Sequence, residues 1–109
     1  MSVQTTDLPD FDALWNYDDP AATVQQFRAL LPSAEQSDNR SYCAQLLTQI
    51  ARAQGLQRKF ADAHGTLDAA QALLAPEPGV ARIRYLLERG RVFSSSQAIE
   101  QAQPLFQAA

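Results

Sequence analysis

Apolar residues recur at three- and four-residue intervals along most of the chain, which is the spacing that buries one face of an α-helix. The pattern is clearest over residues 40–56 and 58–74. In the first stretch the expected buried stripe consists of Tyr42, Leu46, Leu47, Ile50, Ala51 and Gln54. In the second stretch it consists of Phe60, Ala63, Leu67, Ala70, Leu73 and Leu74. The pattern therefore predicts two successive helices in the middle of the chain.

Start and stop signals predict a further helix before these two. Asp19 is expected to cap its first turn, Pro20 to occupy the first helical position and Pro32 to close it. The polar run after Pro32 then predicts a loop, in which Ser37 or Asp38 caps the next helix.

The second half of the chain repeats this alternation of helix and break. "APEPG" at residues 75–79 interrupts the helical pattern, residues 80–93 resume it, and "SSS" at residues 94–96 predicts a turn and an N-cap. A last helix is expected over residues 97–109. Phe11, Leu14 and Trp15, at i, i+3 and i+4, predict one or two further turns of helix before Asp19. The chain thus divides into three helix pairs, at about residues 10–32, 38–75 and 78–109.

Composition supports one all-α domain. The 109 residues suit a single domain at residues 10–109, preceded by a flexible arm at residues 1–9. Only 4 glycines are present, and Ala, Gln and Leu are frequent, which favours helix over sheet because these side chains lose little freedom on a helix.

Charge and targeting signals narrow the class of partner. Nine Lys and Arg against 12 Asp and Glu give a net charge of -3, which disfavours nucleic acid and anionic membranes as partners. No apolar leader or membrane-length apolar stretch is visible, so a cytoplasmic protein is expected. The single cysteine, Cys43, has no partner for a disulfide or a zinc site and is interpreted as a buried apolar residue. We expect no metal and no cofactor.

The only histidine, His64, is the one candidate for catalysis. Asp62 lies on a different helical face, whereas Asp68 at i+4 shares the face of His64 and could hold it. No nucleophile completes a triad, so the sequence predicts a surface His–Asp pair on the back of the helix, not an enzyme. Four carboxylates are interpreted as helix-start residues: Asp10, Asp12, Asp18 and Asp19.

The last two helix pairs share a pattern of small and large residues at an offset of 39 positions. Ala63 aligns with Ala102, and the further matches are Ala51 with Gly90, Phe60 with Ile99, Leu67 with Phe106, and Ala70 with Ala109. Small residues at these positions suit the close crossing of two helices in a hairpin. The first pair fits less well, at an offset of 40.

This order of residues resembles the tetratricopeptide repeat. The last pair carries it best, through Gly90, Phe93, Ile99, Ala102, Phe106 and Ala109. Two residues depart from the usual pattern: Gln54 stands where an aromatic residue is usual, and Arg89 stands where Leu is usual. The loops between the pairs are also long, so each repeat exceeds the usual period of 34 residues by about five. The resemblance implies about six helices in antiparallel hairpins, stacked as a short right-handed α-solenoid.

The resemblance also implies a concave groove lined by the first helix of each pair. The positions carried over to this chain are Gln45, Thr48, Arg52, Arg84, Leu87 and Arg91. Guanidinium groups bind carboxylates by paired hydrogen bonds, so the groove suggests a non-enzymatic module that binds a protein or an acidic peptide. The alternative is that the arginines are solvated and their stems cover apolar surface.

The end of the stack suggests self-association. Leu105, Phe106 and Ala109 would form an apolar end that no polar capping helix covers, which predicts a homodimer. Two further alternatives stay open. The chain could be a structural or self-assembly protein whose groove is unused, or the regulatory or sensor fragment of a larger repeat protein.

Overall fold

The computed structural model describes residues 8–37, 39–75 and 79–95. Within these ranges the chain forms a short 3-10 helix and four α-helices and has no strand, which confirms the prediction of an all-α protein. The 3-10 helix is Phe11–Leu14, and the α-helices are α1 (Pro20–Gln36), α2 (Arg40–Leu56), α3 (Phe60–Gln71) and α4 (Val80–Ser95). The last predicted helix, over residues 97–109, lies outside the described residues. None of the described helices is long and apolar enough to cross a membrane.

The start of α1 follows the predicted signals, but its end does not. Asp19 Oδ1 accepts a hydrogen bond from the Ala22 backbone N–H at 3.1 Å, and Pro20 opens the helix. Pro32 was expected to close α1, yet the helix continues to Gln36. Pro32 lies on the exposed side, where solvent can satisfy the carbonyl that loses its donor, while Ala34 in the extra turn is fully buried.

The expected N-cap of α2 was also wrong. Asn39, rather than Ser37 or Asp38, caps this helix, because its Oδ1 accepts from the Tyr42 backbone N–H at 3.0 Å. Ser37 instead ends α1, where its hydroxyl donates to the Ala34 carbonyl at 2.6 Å. The connection between α1 and α2 is therefore shorter than the predicted loop.

The turn between α2 and α3 is closed by a residue with positive φ. Arg58 has φ 63°, and the two backbone N–H groups that follow α2 reach back into it, Arg58 to the Gly55 carbonyl and Lys59 to the Gln54 carbonyl, both at 2.9 Å. An arginine thus occupies the left-handed position that favours glycine. Gly55 lies in the last turn of α2, as expected, and faces Val92 of α4.

Helix α2 is central, since it packs against α1, α3 and α4. One buried cluster joins α2 to α1 and the 3-10 helix and contains Phe11, Phe27, Ala34, Cys43, Leu46 and Ile50. A second cluster joins α2 to α3 and α4 and contains Ala51, Ala63, Leu67, Ala70, Tyr85 and Val92. The predicted burial of Cys43, Ala63, Leu67 and Ala70 is confirmed, whereas Phe60 is half-buried. Leu73 and Leu74 were expected on the same helix, but α3 ends at Gln71 and both are half-buried.

Helix α4 extends further than the sequence indicated. Ser94 and Ser95 were expected in a turn, but both lie in the last turn of α4. Serine is tolerated at a helix end because its hydroxyl can satisfy nearby backbone groups.

Candidate functional site

The two helices that were expected to line a groove lie side by side and run in the same direction. Arg52 of α2 lies near Glu88 of α4, and one turn later Gly55 faces Val92. The side chains that these helices present around this seam form the α2–α4 face: Gln49, Arg52, Leu56, Arg84, Glu88 and Arg91.

One half of the α2–α4 face is covered by the N-terminal segment, residues 9–19. Arg84 donates two parallel hydrogen bonds to the Asp12 carboxylate, at 3.1 and 2.7 Å. The Trp15 indole N–H donates to Gln49 Oε1 at 3.0 Å. The segment therefore contacts both helices of the face through polar side chains.

Aromatic rings anchor the same segment. Phe11 is buried and meets the rings of Phe27 and Tyr42 edge-on, with centroids 5.9 and 5.1 Å apart. The Tyr42 hydroxyl donates to the Pro9 carbonyl at 2.6 Å. Burial, and then the negative charge of Asp10, raise the pKa of Tyr42, so this hydroxyl remains a donor at neutral pH.

Arg52 connects the covered half to the open half. Its guanidinium lies 5.6 Å from the centroid of the Trp15 ring and 5.4 Å from that of Tyr17, and the two rings are stacked on each other. The same arginine lines a cleft on the open half. Arg52 therefore contacts the rings of the N-terminal segment on one side and borders the cleft on the other.

The open half holds a cleft of ≈160 Å³ between the carboxyl-terminal ends of α2 and α4. Its lining consists of Arg52, Gly55, Leu56, Glu88, Arg91, Val92 and Ser95. Leu56 is 52% exposed at its edge, although it is a large apolar residue. The cleft thus combines two cations, one carboxyl group and an apolar rim.

Glu88 is the unusual member of this cleft, because it is only 3% exposed. Its Oε2 accepts from Arg91 Nη1 at 2.6 Å, while Oε1 is shielded from solvent and has no hydrogen bond of good geometry among the described residues. Burial raises the pKa of Glu88, against the opposing effects of Arg91, Arg52 and the nearby Gln49 side chain. A buried carboxyl with one oxygen outside any good hydrogen bond is costly to the fold, and a ligand in the cleft would meet the two guanidinium groups and the apolar rim rather than this oxygen.

The six predicted groove residues lie in different surroundings. Arg52 and Arg91 line one cleft, whereas Arg84 is already bound to Asp12. Thr48 is fully buried, with its hydroxyl on the Gln45 carbonyl, so it offers nothing to a peptide; its neighbour Gln49 meets the N-terminal segment instead. Gln45 bonds to Ser41, and Leu87 is half-buried. The predicted end contacts Leu105, Phe106 and Ala109 lie outside the described residues.

His64 does not form the predicted surface pair with Asp68. Arg89 comes between them: its Nη1 lies 2.8 Å from His64 Nδ1, and its Nη2 donates to Asp68 Oδ1 at 2.6 Å. The imidazole also lies against Phe93 of α4. Burial and then Arg89 lower the pKa of His64, which keeps Nδ1 an acceptor. His64 therefore joins α3 to α4 and is not on a free back surface.

Four residues of the site were missed from sequence: Asp12, Trp15, Gln49 and Glu88. Asp10 and Asp12 are helix-start residues as expected, since Asp10 caps the 3-10 helix and Asp12 lies in its first turn, but the ion pair of Asp12 with Arg84 was not predicted. Glu88 had a detectable signal, since it stands four residues after Arg84 and three before Arg91 and so shares their helical face. Within the part of the chain that the structure describes, no group of His, Cys, Asp and Glu could hold a metal.

The chain matches no family model, no curated protein and no solved structure. The tetratricopeptide resemblance therefore stays a prediction. The geometry of the α2–α4 face carries the functional inference.

Proposed function

We propose that the protein is a non-enzymatic interaction module that binds an extended, acidic peptide on the α2–α4 face. The observation that carries this is the open cleft, in which Arg52 and Arg91 flank the buried Glu88. The guanidinium groups suit a carboxylate of the partner, and the exposed Leu56 at the edge of the cleft suits an apolar side chain. An extended acidic peptide supplies both groups a few ångströms apart.

The packing of the helices is compatible with the tetratricopeptide resemblance. In stacked hairpins each pair packs only against its neighbours, and the first helix of a pair lies against both helices of the preceding pair. Helix α4 packs in this way against α2 and α3. We extend the proposal to a short α-solenoid of about six helices.

A binding experiment tests this function. Short peptides selected on the immobilised full chain are labelled and titrated, and fluorescence anisotropy gives the dissociation constant. We expect acidic peptides to be selected and Arg52→Glu with Arg91→Glu to weaken their binding at least about tenfold. Arg82→Glu is the matched control, because Arg82 is an exposed arginine of α4 that does not line the cleft. Equal binding by the double variant and the wild type would refute the proposal.

Self-association is the second candidate function. Val80 and Ile83 are exposed neighbours on the first turn of α4, 60% and 45% accessible. Exposed apolar pairs of this kind favour a contact between helices. Light scattering distinguishes the two candidates: a 12.0 kDa species at micromolar concentration would exclude the homodimer.

A further inference from the structure

The contacts of the N-terminal segment have the character of a bound ligand. Its hydrogen bonds to Gln49 of α2 and to Arg84 of α4 are made by side chains, and they join residues 34 and 72 positions apart in the chain. Its backbone contributes the Pro9 carbonyl, which accepts from Tyr42, and the Asn16 groups that bond to the Thr23 hydroxyl of α1. The backbone hydrogen bonds of its 3-10 helix are internal, from Ala13 to Asp10 and from Trp15 to Asp12. A separate peptide with the same side chains could therefore make the same contacts.

The chemistry of the segment matches the face that it covers. Phe11 fills an aromatic pocket against Phe27 and Tyr42, and the next residue, Asp12, binds Arg84 with both carboxylate oxygens. Three residues further on, Trp15 bonds to Gln49 and lies beneath Arg52. The recognised pattern is an aromatic residue followed at once by a carboxylate, with a second aromatic residue three positions after that carboxylate.

Parts of the segment are accessible enough to exchange. The side chains of the ion pair are 28% exposed at Arg84 and 43% exposed at Asp12, and Tyr17 is exposed. Exposed ion pairs contribute little to stability, so this end can detach at modest cost. Phe11, which is buried, holds the segment in place.

Arg52 links this segment to the open cleft. The guanidinium that lies over Trp15 and Tyr17 is the one that would bind a carboxylate of a partner. A partner that draws Arg52 into the cleft weakens its contact with the two rings. By reciprocity, a bound segment weakens the partner, and release of the segment strengthens it.

We propose that residues 9–19 are an internal ligand of the α2–α4 face and that partner peptides with the same pattern, an aromatic residue followed at once by a carboxylate and a second aromatic residue three positions after that carboxylate, compete with them. This inference rests on the proposed function, since it names the class of partner and the way in which the same face is regulated. The occupant that we assign to the covered half, once the segment leaves, is a peptide of a partner and not a second copy of this chain.

A trans-binding experiment tests the inference. The probe is a fluorescein-labelled peptide with the sequence of residues 8–19, LPDFDALWNYDD, titrated with the full chain. In the variant Asp12→Arg the internal segment meets Arg84 with like charge, so we expect this variant to bind the probe at least about tenfold more tightly than the wild type. Asp18→Arg is the control, because Asp18 is also an exposed carboxylate of the segment but makes no ion pair with the face.

Charge reversal in trans makes the result specific. A probe carrying Arg at the position of Asp12 should not bind the Asp12→Arg chain. It should bind a chain that carries Arg84→Glu with Asp12 unchanged, because the internal Asp12 then meets a carboxylate at position 84 with like charge while the arginine of the probe meets it with opposite charge. Circular dichroism confirms that each variant is folded. Equal binding of the probe by wild type and Asp12→Arg, failure of the charge-reversed pair, or dimerisation of Asp12→Arg by exchange of segments would each overturn the inference.

The same variants separate this inference from the proposed function. If selected peptides bind through Arg52 and Arg91 while the probe does not bind the Asp12→Arg chain, the proposed function holds and the internal-ligand inference fails. If no peptide binds any variant, both fail.

Discussion

The two sides of α4 carry buried charge in different ways. On the side toward α3, Arg89 is almost fully buried and bonds to the Tyr85 hydroxyl, to His64 and to Asp68. On the side toward α2, Glu88 is equally buried, but one of its oxygens has no hydrogen bond of good geometry among the described residues, and a cleft lies beside it. The hydrogen bonds of Arg89 are complete among the described residues, whereas those of Glu88 are not.

This difference distinguishes a structural site from the site that we propose for binding. A buried charge whose hydrogen bonds are complete has nothing left to offer a ligand, so its effect is to fix two helices against each other. A buried carboxyl with an oxygen outside any good hydrogen bond is instead a cost to the fold, and here it lies beside a cleft. His64 belongs to the first kind and Glu88 to the second, although His64 is the residue that the sequence brings forward as a candidate for chemistry.

The largest expected effect on stability comes from removing the contacts between Arg89 of α4 and helix α3. Arg89→Ala removes the hydrogen bonds to α3 and the packing of the arginine stem, so we expect the free energy of unfolding to fall by about 3 kcal/mol. Urea denaturation followed by circular dichroism measures it. Asp68 is 70% exposed and is solvated when its partner is lost, which keeps the loss at the lower end for a buried pair.

Arg89→Leu sharpens this test, because leucine is the residue that the repeat pattern favours here. A buried ion replaced by an apolar side chain often costs little, so we expect a change within about 1 kcal/mol. Equal destabilisation by Ala and Leu would show that the polar contacts themselves, rather than filled volume, hold α3 against α4.

On the side of α4 that faces α2, removing a buried charge should raise the free energy of unfolding rather than lower it. Glu88→Gln keeps the shape and removes the buried charge, so we expect the protein to gain about 1 kcal/mol at pH 7. Because burial raises the pKa of Glu88, the folded state binds more protons than the unfolded state, and the carboxyl destabilises the fold as pH rises above about 4.3.

The gain from Glu88→Gln should therefore shrink as pH falls toward 4, where the wild-type carboxyl is also neutral. Parallel urea titrations of wild type and variant at pH 7 and pH 4.5 measure the difference. A variant less stable than the wild type at pH 7 would show that the bond to Arg91 outweighs the cost of the buried charge.

The bounds of a helix could be predicted from the sequence where local signals alone, such as apolar spacing and polar ends, determine them. Helix α2 keeps helical spacing between a capping residue and a polar turn, and its bounds match the prediction of residues 40–56. The prediction that Pro32 ends α1 was wrong. Proline removes one backbone hydrogen bond of a helix, but Pro32 is exposed, so solvent can satisfy the carbonyl that loses its donor. Whether α1 extends by a turn depends on the pocket for Ala34, which forms only when α1 packs on α2.

The site was harder to predict, because its key contacts join distant segments. The groove positions that the repeat resemblance implies include Arg52 and Arg91, which line one cleft. They also include Thr48, which is buried, whereas its neighbour Gln49 meets the N-terminal segment. No local pattern links Asp12 to Arg84, which lies 72 positions away. The departure of Arg89 from the repeat pattern was the available signal for the His64 cluster, since an arginine at a core position needs partners.

A smaller effect is expected from the pH response of His64. Because its pKa is lowered in the fold, the unfolded state binds more protons below about pH 6.5, and this contribution to stability is lost as pH falls through the lowered value. We expect the unfolding midpoint in urea to fall between pH 7.5 and pH 5.5.

His64→Asn is the control, because its side-chain oxygen can accept from Arg89 without titrating. Its stability should change less over the same pH range. If variant and wild type show the same pH dependence, the response comes from other groups and His64 is not coupled to Arg89.

The smallest effect is expected at the exposed ion pair of the α2–α4 face. Asp12→Asn removes the charge that Arg84 binds but keeps the size of the side chain, so we expect a loss of about 0.5 kcal/mol, and less in molar salt, where an exposed pair is screened. Urea denaturation at low and high salt measures both values. Asp18→Asn, in the same segment but without an ion pair to the face, should leave stability unchanged. A loss from Asp12→Asn as large as that from Arg89→Ala would mean that the N-terminal segment is fixed as firmly as the α3 contact, and the contrast between the two sides of α4 would no longer hold.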